Sequence, residues 1–308
     1  MKILRTAAAG VALLASLLLI AVWARPPELL RIGANYAAKT VCSNVFIAER
    51  YAAGFDAAMP LLGWSMTKSV TAGLIGALVK EGRLALDQHA GWPPGDSRAK
   101  ISIADRLSMT SGLRFNEGYG AVSDVTRMLF LKSDMAVFAR AQPLEHPVGS
   151  VWSYSSGTAV ILARIFQDAA GAAPLAAVRE RLFEPLGMTS ALIETDAHGT
   201  LVGSSYMYAT ARDWARYALF LLQQGVWQGR EILPPGYVTM MTTTPGKDPD
   251  TEYGLPADIF WMEGHDGQYA AIVPSRDLVI VRLGLTPERD RYRPQPLVRA
   301  LLDALPQP

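Results

Sequence analysis

Two stretches of this chain place a serine three residues before a lysine: Ser65-Met66-Thr67-Lys68 and Ser97-Arg98-Ala99-Lys100. In a helix, residues three apart share a face, so the Ser65 hydroxyl and the Lys68 amine would lie side by side. A serine hydroxyl is a poor nucleophile at neutral pH and needs a neighbouring base. A lysine supplies that base when burial or nearby cations lower its pKa. A helix N-terminus adds a positive dipole and free N–H groups, one of which can serve an oxyanion. A long helical pattern starts on Ser65. Ser97 instead lies among Pro93, Pro94, Gly95 and Asp96 and reads as a surface loop.

Two further stretches carry chemistry. Trp152-Ser153-Tyr154-Ser155-Ser156-Gly157 forms a tight loop just before an apolar helical run. A tyrosine beside a lysine can have its pKa lowered and act as a general base or acid; a half-buried loop aromatic is the plainer alternative. In Gly264-His265-Asp266-Gly267-Gln268, two glycines flank a His-Asp pair just before an apolar strand. Glycine there lets the backbone approach a ligand closely, and the N–H of Gln268 can face an oxyanion. An ordinary turn with a solvated His265 is again the alternative. His89, His146 and His198 lie in polar or Pro/Gly-rich loops and read as surface.

The elements that position these stretches follow from periodicity and punctuation. Pro27 to Lys39 reads as a short helix and Cys42 to Tyr51 as a strand, broken at Gly54 and Pro60. The Ser65 helix carries Val70, Leu74, Ile75 and Leu78 at helical spacing and stops at Gly82. Leu84 to Ile101 reads as loop, Ile103 to Met109 as a short helix, and Asp124 to Ala139 as one helix. Thr158 to Ala170 is a strongly apolar helix stopped by Gly171. Pro174 to Phe183 is a helix with proline in its first turn. Thr210 to Gln224 is amphipathic and helical, and a short helix runs from Pro234 to Met241. Ile259–Met262, Gln268–Val273 and Leu278–Leu283 read as strands, the last two joined by a Pro274-Ser275-Arg276-Asp277 turn. Leu297 to Leu305 closes the chain as a helix. Strands early and late with helices between predict an α/β (α+β) fold, its sheet built from both ends of the chain around a helical insertion.

At 308 residues, half of them hydrophobic and 19% charged, the chain has the material for a large core. A net charge of +1 with no basic run argues against nucleic-acid binding. The single cysteine, Cys42, excludes an internal disulfide and a Cys-based zinc site and reads as a small buried residue. No His-Glu-x-x-His, Gly-x-Ser-x-Gly, phosphate loop or dinucleotide fingerprint occurs. Lys2 and Arg5 precede an uncharged run from Thr6 to Trp23. That pattern predicts export, with residues 1–24 either a cleaved signal peptide or a retained membrane anchor.

Together and in this order, Ser65-Met66-Thr67-Lys68, Tyr154-Ser155-Ser156 and His265-Asp266-Gly267 resemble the motifs of the serine β-lactamase-related superfamily. Leu107-Ser108-Met109-Thr110-Ser111-Gly112-Leu113 is similar to that family's helix-to-loop segment. Gly63–Ser69, Gly264–Gln268 and Phe115-Asn116-Glu117-Gly118-Tyr119 are most similar to its 6-aminohexanoate-dimer hydrolase and esterase-like branch. The resemblance implies a β-lactamase/transpeptidase-like fold over residues 25–308, with an α/β part at about 25–82 and 206–308 and a helical part at about 83–205. It implies a serine hydrolase acting on a small amide or ester through an acyl-enzyme, with no metal or organic cofactor. Ser65, Lys68 and Tyr154 would be catalytic, and the backbone N–H groups of Ser65 and Gln268 would hold the oxyanion. Ser156, His265, Gly267 and Tyr119 would contact substrate, with steadying of Lys68 and Tyr154 the alternative role for Ser156 and His265.

The chain also departs from that pattern. Tyr154-Ser155-Ser156 ends in serine rather than the asparagine of true β-lactamases, and His265 stands where a lysine would pair with a β-lactam or peptide carboxylate. No loop glutamate is evident for a separate deacylation step, so Tyr154 would serve both half-reactions. The region before Pro60 has room for little more than one of the two paired strands usual upstream of the nucleophile. The remaining alternatives are a penicillin-binding carboxypeptidase or esterase on cell-wall peptides, and an exported binding protein on an inactive hydrolase scaffold.

Overall fold

The apolar runs near the C-terminus lack the in–out alternation of a half-exposed sheet, which predicts cover on both faces. In the computed structural model, which describes residues 38–40, 48–119, 122–171, 173–243, 253–286 and 292–305, that cover is present. In chain order the strands are β1 (Ala38–Thr40), β2 (Leu61–Leu62), β3 (Leu192–Ile193), β4 (Met207–Ala209), β5 (Val226–Trp227), β6 (Arg230–Glu231), β7 (Phe260–Gly264), β8 (Gln268–Val273) and β9 (Leu278–Arg282). The helices are α1 (Met66–Lys80), α2 (Ile103–Leu107), α3 (Asp124–Leu131), α4 (Met135–Arg140), α5 (Ser156–Ala170), α6 (Pro174–Val178), α7 (Ala211–Leu222), α8 (Tyr237–Thr242) and α9 (Gln295–Ala304). The main sheet is antiparallel in the order β1-β9-β8-β7. Ala270, Ile272, Val279 and Val281 point into the large core that includes Trp214, Tyr217 and Phe220 on or beside α7. Ala271, Val273, Leu278 and Ile280, the alternate residues, form a second cluster with Val298 and Leu302 of α9. Period-two alternation thus divides one continuous apolar run between two layers.

The sheet does draw on both ends of the chain: Ala38 pairs with Ile280 and Thr40 with Leu278. This corrects the helix expected over 27–39. Its last two residues are strand, because the open edge of β9 offers hydrogen bonds that local periodicity cannot anticipate. The remainder of that helix, residues 42–47 of the strand expected at 42–51, and the segment 1–24 lie outside the described residues. Residues 49–51 are not in a strand. Of the described strands ahead of α1, β1 precedes Pro60 and joins the main sheet, whereas the two-residue β2 follows Pro60 and pairs with β4 in a small β2-β4-β3 sheet. The helix expected over 124–139 is two helices. Lys132 leaves the helical region, and Asp134 starts α4 by accepting a 2.8 Å hydrogen bond from the Val137 N–H. The helix expected to run to Phe183 changes to π geometry at Arg179.

Candidate active site

Ser65 stands at the N-terminus of α1, and the chain reaches it by an unfavourable route. Gly63 donates its N–H to the Met207 carbonyl at 2.9 Å, tying the approach to β4. Trp64 then adopts φ 48°, a left-handed conformation that costs a bulky side chain of order 1–3 kcal/mol. A serine at this helix position ordinarily turns its hydroxyl back onto a backbone N–H. Here it makes no such cap. Instead the Ser65 Oγ accepts a 2.9 Å hydrogen bond from Lys68 Nζ, and the helix spacing expected from the sequence is realised.

Lys68 is held at three points. Besides Ser65, its amine donates to Ser156 Oγ at 3.0 Å and to the Ser204 carbonyl at 3.0 Å. The segment carrying Ser204 is laced to α1 on either side. Thr71 Oγ1 donates to the Gly203 carbonyl at 2.7 Å, and Thr67 Oγ1 accepts from the Met207 N–H at 3.2 Å. Ser204 was not singled out by motif, because its contribution is a backbone carbonyl and leaves no residue-type signature.

Tyr154 and Ser156 arrive from the opposite side. Ser155 caps α5 by accepting from the Thr158 N–H at 3.1 Å, which places Ser156 in the first turn and Tyr154 just before it. The Tyr154 ring lies beneath the Lys68 amine, 4.7 Å from its centroid, with the Ser65 side chain close enough to influence its phenol. Gly157 packs flat on Phe115; a Cβ there would lie 2.5 Å from the ring. Gly157→Ala is therefore expected to push the 115–119 loop outward, lowering stability by about 1–3 kcal/mol and weakening hydrolysis as well; thermal unfolding of the variant beside a rate assay checks it.

The electrostatics distinguish the two candidate bases. Burial pulls the Lys68 amine down from its ordinary value to about 8, with the charge of Glu117 opposing. The residue as a whole is half-buried, but its amine sits among buried groups, and desolvation wins. Burial pushes the Tyr154 phenol well above its ordinary value. The Ser65 side chain pulls it back, and Glu117, Tyr119 and Glu263 add to the rise. The lowered tyrosine pKa expected from the neighbouring lysine is thus overturned, because burial of the phenol dominates, with the nearby carboxylates adding to it. Tyr154 is a neutral phenol at neutral pH, and Lys68 is the group poised to exchange a proton.

The third stretch faces this cluster. Gly264 packs so closely on the Gly63 carbonyl that a side chain there would collide with it. This brings the β7–β8 corner against the residues leading to Ser65. The His265 ring stacks on Tyr119 at 4.5 Å and 18° and meets the edge of Trp64 at 5.6 Å, while Trp64 contacts Tyr206 at 6.1 Å. His265 Nε2 lies 3.3 Å from Asp266 Oδ1. Gly267 has φ 84° and its carbonyl accepts from the buried Arg282 guanidinium, so its observed role is close backbone packing. The Gln268 side chain bonds the carbonyl and N–H of Gly284, the latter at 2.8 Å, and fixes the start of β8. The Ser65 N–H carries no hydrogen bond among the described residues.

Of the sequence-predicted residues, Ser65, Lys68 and Ser156 form one hydrogen-bonded group with the Tyr154 ring beneath the amine, and Tyr119 and His265 form an aromatic wall with Trp64. A loop glutamate does reach this group, but its bonds run to Ser156 and show no part in a separate deacylation step. Glu117 accepts the Ser156 N–H at 2.8 Å and the Ser156 hydroxyl as well, one link from Lys68. A cavity of about 220 Å³ opens beside Lys68 and Tyr154, with Met109, Trp152, Leu162 and Met240 in its walls. Among the described residues no group of three His, Cys, Asp or Glu is placed to hold a metal ion.

Comparison with known proteins agrees with this geometry. Residues 52–303 match the Beta-lactamase family model. The chain is 25% identical over 278 residues to the 6-aminohexanoate-dimer hydrolase of Paenarthrobacter ureafaciens, covering 79% of this chain and 71% of that protein. A Bacillus anthracis protein provisionally assigned as a 6-aminohexanoate-dimer hydrolase superposes with a TM-score of 0.72 at 25% identity, covering 91% of this chain and 82% of that one. A β-lactamase from Mycobacterium bovis superposes with a TM-score of 0.64 at 19% identity, covering 90% and 96%. The fold is that of β-lactamases and penicillin-binding proteins, and this chain is a hydrolase belonging to the Beta-lactamase family.

Proposed function

We propose that the protein cleaves small amides or esters through an acyl-enzyme on Ser65. The observation that carries this reading is the 2.9 Å contact between Ser65 Oγ and an amine whose pKa is pulled to about 8. Neutral Lys68 takes the Ser65 proton as Oγ attacks the carbonyl carbon. The resulting oxyanion is met by the N–H groups of Ser65 and Gln268. As the tetrahedral species collapses, the Lys68 proton passes through the Tyr154 hydroxyl to the leaving amine or alcohol. Water then attacks the acyl-enzyme, giving up its proton along the same route, and Ser65 is released. The neutral phenol suits Tyr154 to relay rather than to permanent base. Tyr119, His265 and Trp64 supply the wall against which the substrate lies, and no cofactor enters these steps. Because one relative is a 6-aminohexanoate-dimer hydrolase, short linear amides are the substrates to try first.

The test is covalent labelling with a serine-reactive fluorophosphonate, read as a mass increase on the peptide containing Ser65, alongside a panel of acyl esters and amides. A wild-type protein that neither labels nor turns over any of the panel refutes the reading. Fluorescent penicillin is expected to label poorly, because His265 faces Asp266 rather than standing as a free cation for the carboxylate; efficient labelling would favour the cell-wall peptidase alternative. The same reading has the domain exported, with residues 1–24 as signal or anchor, which membrane fractionation and N-terminal sequencing of the expressed protein check.

A further inference from the structure

Ser156 has one hydroxyl hydrogen, and it is directed at the Glu117 carboxylate. The hydroxyl therefore turns a lone pair, not a proton, towards Lys68 Nζ at 3.0 Å. The Ser204 carbonyl, the second fixed partner of the amine, can only accept. A neutral lysine amine has two hydrogens and one lone pair. With both hydrogens claimed by Ser156 and Ser204, the lone pair is left for the third partner, Ser65 Oγ, at 2.9 Å.

We propose that Glu117 is a positioning residue that, through Ser156, sets the direction of this hydrogen-bond chain so that Lys68 meets Ser65 as an acceptor and, once protonated, faces a negative charge. The inference rests on the reading of Ser65 and Lys68 as nucleophile and base and deepens it. It parallels the general arrangement in which a third group orients the base that activates a nucleophile. The loop is built to hold the carboxylate in place. Phe115 packs on Gly157, the Asn116 N–H bonds Asp124 Oδ2 at 2.9 Å, and the Gly118 N–H bonds Asn116 Oδ1 at 2.9 Å. The other groups facing the amine are Ser65 from α1, Tyr154 from the loop before α5, and the Ser204 carbonyl from the segment before β4. Tyr119 on the 115–119 loop and Glu263 on β7 act on Tyr154, and His265 and Asp266 at the β7–β8 corner face Tyr119. Glu117 is the carboxylate that opposes the burial of Lys68.

Two readouts test the proposal. Glu117→Gln removes the charge and offers Ser156 an amide donor, freeing the hydroxyl to turn its proton on Lys68. Its kcat on a p-nitrophenyl ester is expected to fall by about 10²-fold, the lower end of what a positioned base contributes. The acid limb of its kcat/KM profile should move to lower pH, since the charge that favoured the ammonium is gone. Ser156→Ala breaks the relay while leaving the backbone N–H to Glu117 intact, and it should lower kcat comparably. Adding Glu117→Gln to Ser156→Ala should cost several-fold less than it does in the wild type, since the two act along one chain. A merely structural Glu117 would raise KM or lower the unfolding temperature, leave the acid limb in place, and give losses that multiply; that result overturns the proposal. If Glu117→Gln does not fold, Ser156→Ala alone decides it, with an unchanged kcat counting against. Failure of the Ser65 reading would appear in the wild type, which would not label. Failure of this inference would appear only in the variants.

Discussion

Ser65→Ala is expected to abolish fluorophosphonate labelling and to lower kcat by about 10⁴-fold or more, because no acyl-enzyme can form and only binding and the oxyanion donors remain. The variant should fold as well as the wild type. In many helices the N-terminal serine hydroxyl caps the first turn, and its loss costs about 1 kcal/mol. Ser65 caps nothing; its hydroxyl faces Lys68, so what the substitution removes is chemistry. Thermal unfolding measured beside the rate separates the two. An unchanged melting temperature with residual hydrolysis at background level is the expected pair. Retention of substantial esterase activity would mean that another residue carries the nucleophile.

Lys68→Met is expected to lower kcat/KM by about 10²–10⁴-fold, the range for a positioned general base. In the wild type the active form is the neutral amine, so activity should climb as pH rises through about 8 and level off above it. The stability sign can be worked out from the same shift. Burial lowers the folded-state pKa to about 8 from an unfolded value of 10.5. Below about pH 8 both states hold the proton, and the cost of burying the ammonium is carried in full. Between about 8 and 10.5 the unfolded state binds more protons, so wild-type stability rises with pH across that window. The methionine variant has no such group and should lose that rise. Denaturant titrations at several pH values read the difference directly, and a wild-type curve that stays flat over the window would contradict a desolvated amine.

Side chains whose chemistry is intrinsic to a short motif were legible before any fold was known. Ser65 and Lys68 share a helix face by spacing alone, and Tyr154-Ser155-Ser156 and Gly264–Gln268 carry the residue types of a relay and a close-packed turn. Tyr119 stood out through its branch-specific segment, and it does meet His265. Glu117 sits two residues from Tyr119 and was passed over. A carboxylate in a polar loop is usually solvated, and only the packing of Phe115 on Gly157 carries it to Ser156. Trp64 carries no signal of its own in the motif; its left-handed backbone and its contact with His265 come from the fold.

The sequence by itself determined the helix that carries Ser65 and Lys68, the loop that faces it, the apolar strands of the sheet and the order in which they come. Each of these rests on local periodicity or on residue type. Tertiary structure alone decided the quantities set by burial and by partners distant in the chain. It made Ala38–Thr40 a strand by offering it the edge of β9. It broke the 124–139 run where Asp134 could cap a second helix. It raised the Tyr154 pKa where proximity to a lysine had suggested the reverse. It placed a carbonyl and a carboxylate around Lys68 that no motif records. Desolvation and hydrogen-bond direction are properties of an environment, and residues 88 and 136 positions from Lys68 in the chain supply that environment.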